Sequence, residues 1–135
     1  MISLRSSIKS NHGIWISVLV SALAFALLHS LNPGMTVLSF FNLFLSGVFF
    51  SALVLRFDNL WTACAAHAAW NFFQGNIIGV GVSGMDQSVS VFKCTNIGSD
   101  LITGGSFGFE GGLVMTFILA VVTVLLLVVP KKAKA

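Results

Sequence analysis

The residues of this chain best suited to chemistry are two histidines and an asparagine set in uncharged, apolar sequence. His67 and Asn71 are four positions apart, which on a helix places imidazole and amide on one face, with Cβ atoms about 6 Å apart. A second imidazole, His29, ends another apolar run, which also contains Phe25. Hydrogen-bonding side chains buried in such sequence cost free energy unless they meet partners or water. His29, His67 and Asn71 are therefore the candidate site, because an imidazole can exchange a proton and an amide can donate hydrogen bonds.

Four apolar stretches must position these residues. Hydrophobic residues make up 56% of the chain and charged residues only 8%, which is too little charge to cover a soluble globule. Each uncharged run is about the 20 residues that a helix needs to cross ~30 Å of hydrocarbon. The runs are residues 14–31, 35–55, 60–80 and 112–129. Because backbone groups in lipid must bond to one another, runs this long predict an all-α fold: a polytopic transmembrane helical bundle with four spans.

The basic residues predict how these spans are oriented. In a four-span topology six of the seven fall on one side of the membrane and only Lys93 falls on the other. The six are Arg5, Lys9, Arg56, Lys131, Lys132 and Lys134. This positive-inside pattern predicts a multi-pass protein of the cell membrane with both termini in the cytoplasm. No stripe of basic and aromatic residues suggests nucleic-acid binding, so membrane lipid is the first expected partner.

Two further features outside the candidate site carry structural predictions. Asn42 is a polar residue inside the second span, and we expect it to make an interhelical hydrogen bond. The glycine-rich segment 80–111 is expected to form a flexible cap over the outer mouth of the bundle. Glu110 at its end is expected to serve only as a favourable charge at the N-terminus of the last helix.

Two sequence motifs resemble those of a known family. Phe25-x-x-x-His29, followed about forty residues later by His67-x-x-x-Asn71, is similar to the second and third motifs of the CPBP (CAAX protease and bacteriocin-processing, or Abi) intramembrane proteases. That group includes the CAAX prenyl endopeptidases. The order, the spacing and the intervening Phe-rich helix fit, and residues 104–112 resemble a stretch that bacterial members carry before their last helix. The resemblance runs from roughly residue 10 to residue 129.

The chain departs from the family at its first motif, a Glu-Glu pair followed three residues later by Arg on the preceding helix. No glutamate precedes Glu110, and residues 1–10 resemble the basic connector that normally follows that motif. The resemblance therefore implies that residues 1–135 form the C-terminal part of a CPBP-type intramembrane protease domain. Either a natural truncation or a misplaced initiation codon would produce such a start.

The resemblance also implies a mechanism. In the family, the glutamate and the FxxxH histidine activate water, while the HxxxN pair stabilises the oxyanion. Carried over, His29 positions or polarises water, and His67 and Asn71 supply the donors. The chain is then an intramembrane endopeptidase of the CAAX prenyl protease type, a hydrolase that cuts a peptide or protein substrate near the membrane. It is expected to be inactive as written, because the catalytic glutamate is absent.

Two alternatives remain open at this point. One is a non-catalytic pseudoprotease or an immunity-type membrane binding protein of the same fold. The other is a small transporter in which His29 and His67 relay protons or bind an ion. The sequence does not distinguish prenylated CAAX tails from bacteriocin leader peptides or other membrane-proximal substrates.

No cofactor is predicted. Two histidines and an amide make a poor zinc shell without a carboxylate, so zinc would require the missing upstream carboxylates. One geometric point opposes a shared site: at 1.5 Å per residue, His29 lies about 22 Å and His67 about 10 Å from the cytoplasmic face. If both line one cavity, a span must tilt strongly or begin elsewhere than predicted.

Overall fold

The computed structural model describes residues 11–130, and this part of the chain is helical. Its helices are α1 (Asn11–Leu28), α2 (Val37–Phe57), α3 (Leu60–Asn71), a π-helix (Phe72–Ile78), α4 (Asp100–Thr103) and α5 (Leu113–Val128), with two 3₁₀ turns, Gly105–Phe107 and Phe109–Gly111. Between residues 11 and 130 the only β pairing is an isolated bridge between Val82 and Met85. The all-α class is therefore confirmed for the described residues.

One of the four expected spans meets the length and composition of a membrane helix in full. This is α2, which has 21 residues and a mean hydropathy of 2.1. The apolar segments His12–Leu28 and Leu113–Val128 are shorter, and α3 ends after 12 residues. Four spans therefore stay a prediction, while a single candidate span is observed within residues 11–130.

Small residues bring α1 and α2 into close contact. A methyl group built on Gly47 would lie 2.5 Å from the Cα of Ala22, and Ala22 and Ala26 are completely buried. Close backbone approach at glycine and alanine is typical of helix pairs in membranes. This contact brings the rings of Phe25 and Phe50 to 5.5 Å and sets the position of the residues that end α1.

Local hydrogen bonds fix where α2 and α3 begin. Thr36 and Ser39 form a reciprocal capping box at the start of α2. At its end Asp58 adopts a left-handed conformation, and Asn59 caps α3 by accepting from the Trp61 amide at 2.9 Å. These caps satisfy backbone donors that a helix N-terminus leaves open. The third helix therefore starts at residue 60, as predicted.

The end of this third helical segment differs from the prediction. Instead of one α-helix over residues 60–80, the chain widens after Asn71 into the π-helix, with the Gly79 amide donating to the Gln74 carbonyl at 3.1 Å. Gly79 then takes a left-handed conformation with φ of 76°. Such π segments are rare and often lie at functional sites. Here the change comes directly after one of the candidate site residues.

The glycine-rich segment packs into the bundle instead of only covering it. Phe107 is 1% exposed and forms the hydrophobic core with Ala26 and Leu43. The Gly84 amide donates to the Phe107 carbonyl at 3.0 Å, which ties two parts of the segment together. The expectation of a flexible cap is therefore wrong for this part of the segment, because a large aromatic side chain anchors it in the core.

Asn42 joins α2 to the start of α5. Its side chain is completely buried, and Nδ2 donates to the Glu110 carbonyl at 2.8 Å and to the Gly112 carbonyl at 2.9 Å. Its Oδ1 accepts from the Thr116 hydroxyl at 2.6 Å. Every hydrogen-bonding atom of the amide group thus has a partner. The predicted interhelical role of Asn42 is confirmed.

Arg56 places the C-terminal ends of α2 and α5 at the same end of the bundle. Its guanidinium donates to the Pro130 carbonyl at 2.8 Å and also to the Val129 carbonyl. A four-span topology requires this arrangement, because the second and fourth spans then run in the same direction. Of the basic residues used for the orientation, five lie outside the described residues: Arg5, Lys9, Lys131, Lys132 and Lys134.

Candidate functional site

The three candidate residues line one cavity. His29, at the end of α1, meets His67 and Asn71 from α3 around a space of about 410 Å³. The other polar residues of its wall are Asn32, Asn76, Ser83 and Gln87. Residues that are 38 positions or more apart along the chain are therefore brought to one cavity, as the two motifs suggested.

The Phe25-x-x-x-His29 motif has a local geometric basis. One turn separates the two residues, so His29 Nδ1 donates to the Phe25 carbonyl at 2.8 Å, and the two rings lie 4.6 Å apart. A carbonyl oxygen only accepts, so the proton of this bond belongs to Nδ1. In the neutral ring Nε2 then keeps a lone pair. That atom can accept a hydrogen bond or a proton from water.

The His67-x-x-x-Asn71 motif forms a second one-turn pair. Asn71 Nδ2 lies 3.2 Å from His67 Nε2 and donates to it in the neutral ring. Asn71 Oδ1 is buried and has no hydrogen-bond partner among the described residues. Leaving a buried amide oxygen unpaired costs free energy. The opposite amide orientation would pair Oδ1 with Nε2–H and free both amide hydrogens for a ligand, which is what an oxyanion site needs.

Aromatic rings join the two motifs. The Phe25 ring lies 5.4 Å from that of His67 as well as 4.6 Å from that of His29. The two imidazoles therefore cannot be further apart than the sum of these distances. Phe50 also contacts His67, at 5.2 Å. The helix α3 begins where it was predicted, and α1 begins earlier than predicted. The helices must therefore be offset or inclined relative to one another. Counting residues from a common cytoplasmic face overstated the separation between His29 and His67.

A second, mostly apolar cavity of about 360 Å³ adjoins the first. The two share His67 and Ser83. Its apolar wall is built mainly from α2, α3 and α5, with one residue each from α1 and the π-helix. The residues are Phe25, Leu43, Phe49, Phe50, Ala66, Ala69, Trp70, Phe73, Met115, Ile118, Leu119 and Val122. An apolar pocket with a few polar groups at one edge is typical of sites for small or extended apolar ligands.

Glu110 also lines the apolar cavity, a position that was not predicted from the sequence. Its Oε1 accepts from the Trp70 indole at 3.0 Å, and Oε2 accepts from the Ser83 amide at 2.7 Å and the Ser83 hydroxyl at 2.9 Å. Burial raises the pKa of this carboxyl, and the donors from Ser83 and Trp70 offset part of that rise. The prediction that Glu110 serves only as a charge at a helix terminus is wrong.

Metal-binding groups do not cluster in the described part of the chain. Between residues 11 and 130 there is no group of three or more His, Cys, Asp or Glu side chains that could hold a metal ion. The polar groups at the cavity are imidazoles, amides, hydroxyls and one buried carboxyl. These groups can exchange protons and donate hydrogen bonds.

The fold and the cavity define a helical protein with an apolar candidate span and paired histidine and amide groups inside the bundle. Residues 2–73 match the family model described as type II CAAX prenyl endopeptidase Rce1-like. Because this match covers more than half of the chain, the chain belongs to the Rce1-like family, and the CPBP relationship suggested by the motifs is confirmed. The matched segment contains His29, His67 and Asn71. No curated protein and no solved structure matches the chain.

Proposed function

We propose that this chain carries the histidine and amide groups of an intramembrane endopeptidase that hydrolyses peptide bonds near the membrane, in the manner of the CAAX prenyl proteases. One observation carries the proposal. His29, which follows α1, and His67 and Asn71, which lie on α3, line a single cavity in a chain that belongs to a family of endopeptidases.

Each residue has a role that its contacts support. His29 Nε2 accepts a hydrogen bond from the attacking water, while the bond from Nδ1 to the Phe25 carbonyl fixes the ring. With His67 Nε2 accepting from Asn71 Nδ2, His67 donates through Nδ1–H and Asn71 donates through its second amide hydrogen to the oxygen of the scissile carbonyl, as negative charge develops on it. The adjoining apolar cavity accommodates an apolar part of the substrate, such as a lipidated or membrane-embedded segment.

We also propose that residues 1–135 lack the carboxylate that activates water in the family. The chain has a single glutamate, Glu110, and three donors already occupy its two oxygens. Hydrolysis by this chain alone is then slow, and a small carboxylate such as acetate restores part of the rate by acting as the base. Proton transfer by a positioned base contributes about 10²- to 10⁴-fold, so the rescue should be readily measurable.

The test uses the full chain in lipid vesicles with a quenched fluorescent peptide that carries a prenylated CAAX tail. We expect acetate-dependent cleavage that falls about 100-fold or more in His29→Ala and His67→Ala. His12→Ala is the matched control, because His12 is exposed on α1 and does not line the cavity. Absence of cleavage at every acetate concentration would contradict the proposal, and tight peptide binding without cleavage would favour the pseudoprotease alternative. Proton flux through vesicles that depends on both histidines would favour the transporter.

The membrane arrangement proposed with this function has four spans and both termini in the cytoplasm. The Arg56 contacts support its requirement that the C-terminal ends of α2 and α5 lie on the same side, and the basic residues of the sequence indicate that this side is the cytoplasm. Cys94 lies exposed in the segment after the π-helix and should face the outside. In a Cys64→Ser variant, an impermeant maleimide should label Cys94 in intact cells. A Lys132→Cys variant without the natural cysteines should react only after the membrane is opened, and the reverse pattern would refute this orientation.

A further inference from the structure

Glu110 lies beyond the segment that matches the family, and the proposed mechanism does not use it. We propose that its carboxylate is a positioning group, which holds the His29 segment and the His67–Asn71 segment at the separation that their shared cavity requires. The inference rests on the proposed function of that cavity. The carboxylate accepts hydrogen bonds from both sides of the site, one side through Trp70 and the other through Ser83.

The first connection runs to α3. Trp70 immediately precedes Asn71, and its indole N–H donates to Glu110 Oε1 at 3.0 Å. Within α3 only Ala63 is buried, so side-chain packing alone restrains the rotation of this helix about its axis only weakly. Successive residues are about 100° apart around a helix axis. A rotation of α3 by a fraction of that angle would therefore turn His67 and Asn71 away from the cavity. The indole–carboxylate bond opposes that rotation.

The second connection runs to the end of α1. Ser83 donates to Glu110 Oε2 through both its amide and its hydroxyl. Its φ of 48° lies in the left-handed region, which a serine occupies only when its surroundings hold it there. The Ser83 carbonyl in turn accepts from the side chain of Asn32, through Nδ2, at 2.9 Å. The backbone N–H of Asn32 donates to the His29 carbonyl at 3.0 Å. Hydrogen bonds therefore connect Glu110 to the His29 segment.

The side chain and the main chain of Glu110 make different connections. The Glu110 carbonyl accepts from Asn42 on α2, which anchors the segment to the bundle. The carboxylate reaches Trp70 and Ser83 instead. Asn42→Ala therefore removes the bond from α2 to the Glu110 carbonyl and leaves the carboxylate bonds to Trp70 and Ser83 in place. Glu110→Gln keeps the bond to the carbonyl and changes the carboxylate. A glutamine amide accepts through one atom only, so at least one of the two connections must break.

The experiment compares Glu110→Gln with Asn42→Ala in the full chain, and Trp70→Phe tests the α3 connection alone. The first readout needs no enzymatic activity: the rate at which diethyl pyrocarbonate modifies His29 and His67, divided by the rate at exposed His12. The second readout is kcat and KM for the prenylated peptide in acetate. We expect Glu110→Gln to change the modification ratios and to lower kcat about 10- to 100-fold, as loss of a supporting group does, with KM unchanged.

Asn42→Ala is expected to lower the unfolding temperature and leave the modification ratios and kcat unchanged. Equal losses of kcat in Asn42→Ala and Glu110→Gln would mean that stability alone matters, and would overturn the inference. Unchanged ratios in both Glu110→Gln and Trp70→Phe would also overturn it. If Glu110→Gln does not fold, Trp70→Phe and Ser83→Ala decide instead. If the wild type cleaves nothing, the proposed function fails, and the modification ratios still test the positioning role.

Discussion

Replacing Asn71 with alanine tests the part of the proposed site that is most specific to a hydrolase. The Asn71 amide contacts His67 Nε2 at 3.2 Å and lines the same cavity as His29. Loss of one oxyanion donor costs about 10²- to 10³-fold in kcat, or about 2.7–4 kcal/mol. We expect the upper part of that range, because the substitution also removes the hydrogen-bond partner of His67. KM should change little, since the neutral carbonyl of the ground state gains less from these donors than the oxyanion does.

The matched control for this substitution is Asn76→Ala. Asn76 lines the same cavity, but its amide donates to the Val89 carbonyl at 3.2 Å and has no place in the proposed chemistry. Initial rates with the prenylated peptide in acetate should leave Asn76→Ala near the wild type. Asn71→Asp should lose at least as much as Asn71→Ala, because a carboxylate cannot donate. An Asn71→Ala rate within about fivefold of wild type, a difference of only ~1 kcal/mol, would refute the oxyanion role.

Three further predictions concern stability. Gly47→Ala should destabilise the folded chain by about 1–3 kcal/mol, because the new methyl group would lie 2.5 Å from Ala22 Cα. Gly81→Ala, whose methyl would meet nothing closer than 3.5 Å, should unfold in detergent at the wild-type temperature by circular dichroism. Asn42→Ala should cost about 2–4 kcal/mol in the same assay, since three buried hydrogen bonds are lost at roughly 0.6–1.5 kcal/mol each. Burial holds the pKa of Glu110 above its ordinary value, so wild-type stability should fall as pH rises from about 4 through the raised folded-state pKa. Glu110→Gln should remove that part of the pH dependence. If the free energy of unfolding changes with pH equally in the wild type and in Glu110→Gln, this account is contradicted.

The helix positions could be predicted where composition and turn residues act locally. The second run, placed at residues 35–55, forms Val37–Phe57, and the last, placed at 112–129, forms Leu113–Val128. The π-helix could not be predicted in this way, because the same apolar residues suit an α-helix equally well. The π-helix makes contacts with residues further along the chain, such as the close approach of Gly75 to the side chains of Val82 and Gln87. Local sequence carries no signal for such contacts.

The site was predictable to the extent that it is local. Each motif is an i, i+4 pair. The spacing of His67 and Asn71 predicted that they share a helix face, and they are in contact, whereas the bond from His29 to the Phe25 carbonyl was not predicted. Whether the two pairs meet depends on how α1 and α3 are placed relative to one another, and residue counting from a common plane gave a separation that was too large. The aromatic ring of Phe25 contacts both imidazoles. It therefore shows how close His29 and His67 lie, which counting residues along the helices did not give.

The role of Glu110 depends on contacts that are distant in sequence. An ionisable side chain in apolar sequence needs a partner or a function, and this rule applies to the only glutamate of the chain as it does to His29 and His67. Proximity to a helix start suggested a simpler role for it, because a helix dipole favours a negative charge there. Its actual partners, Trp70 and Ser83, are 40 and 27 residues away. Such distances leave no periodic signal, so the burial cost of a lone carboxylate was the one feature of the sequence that could have identified it.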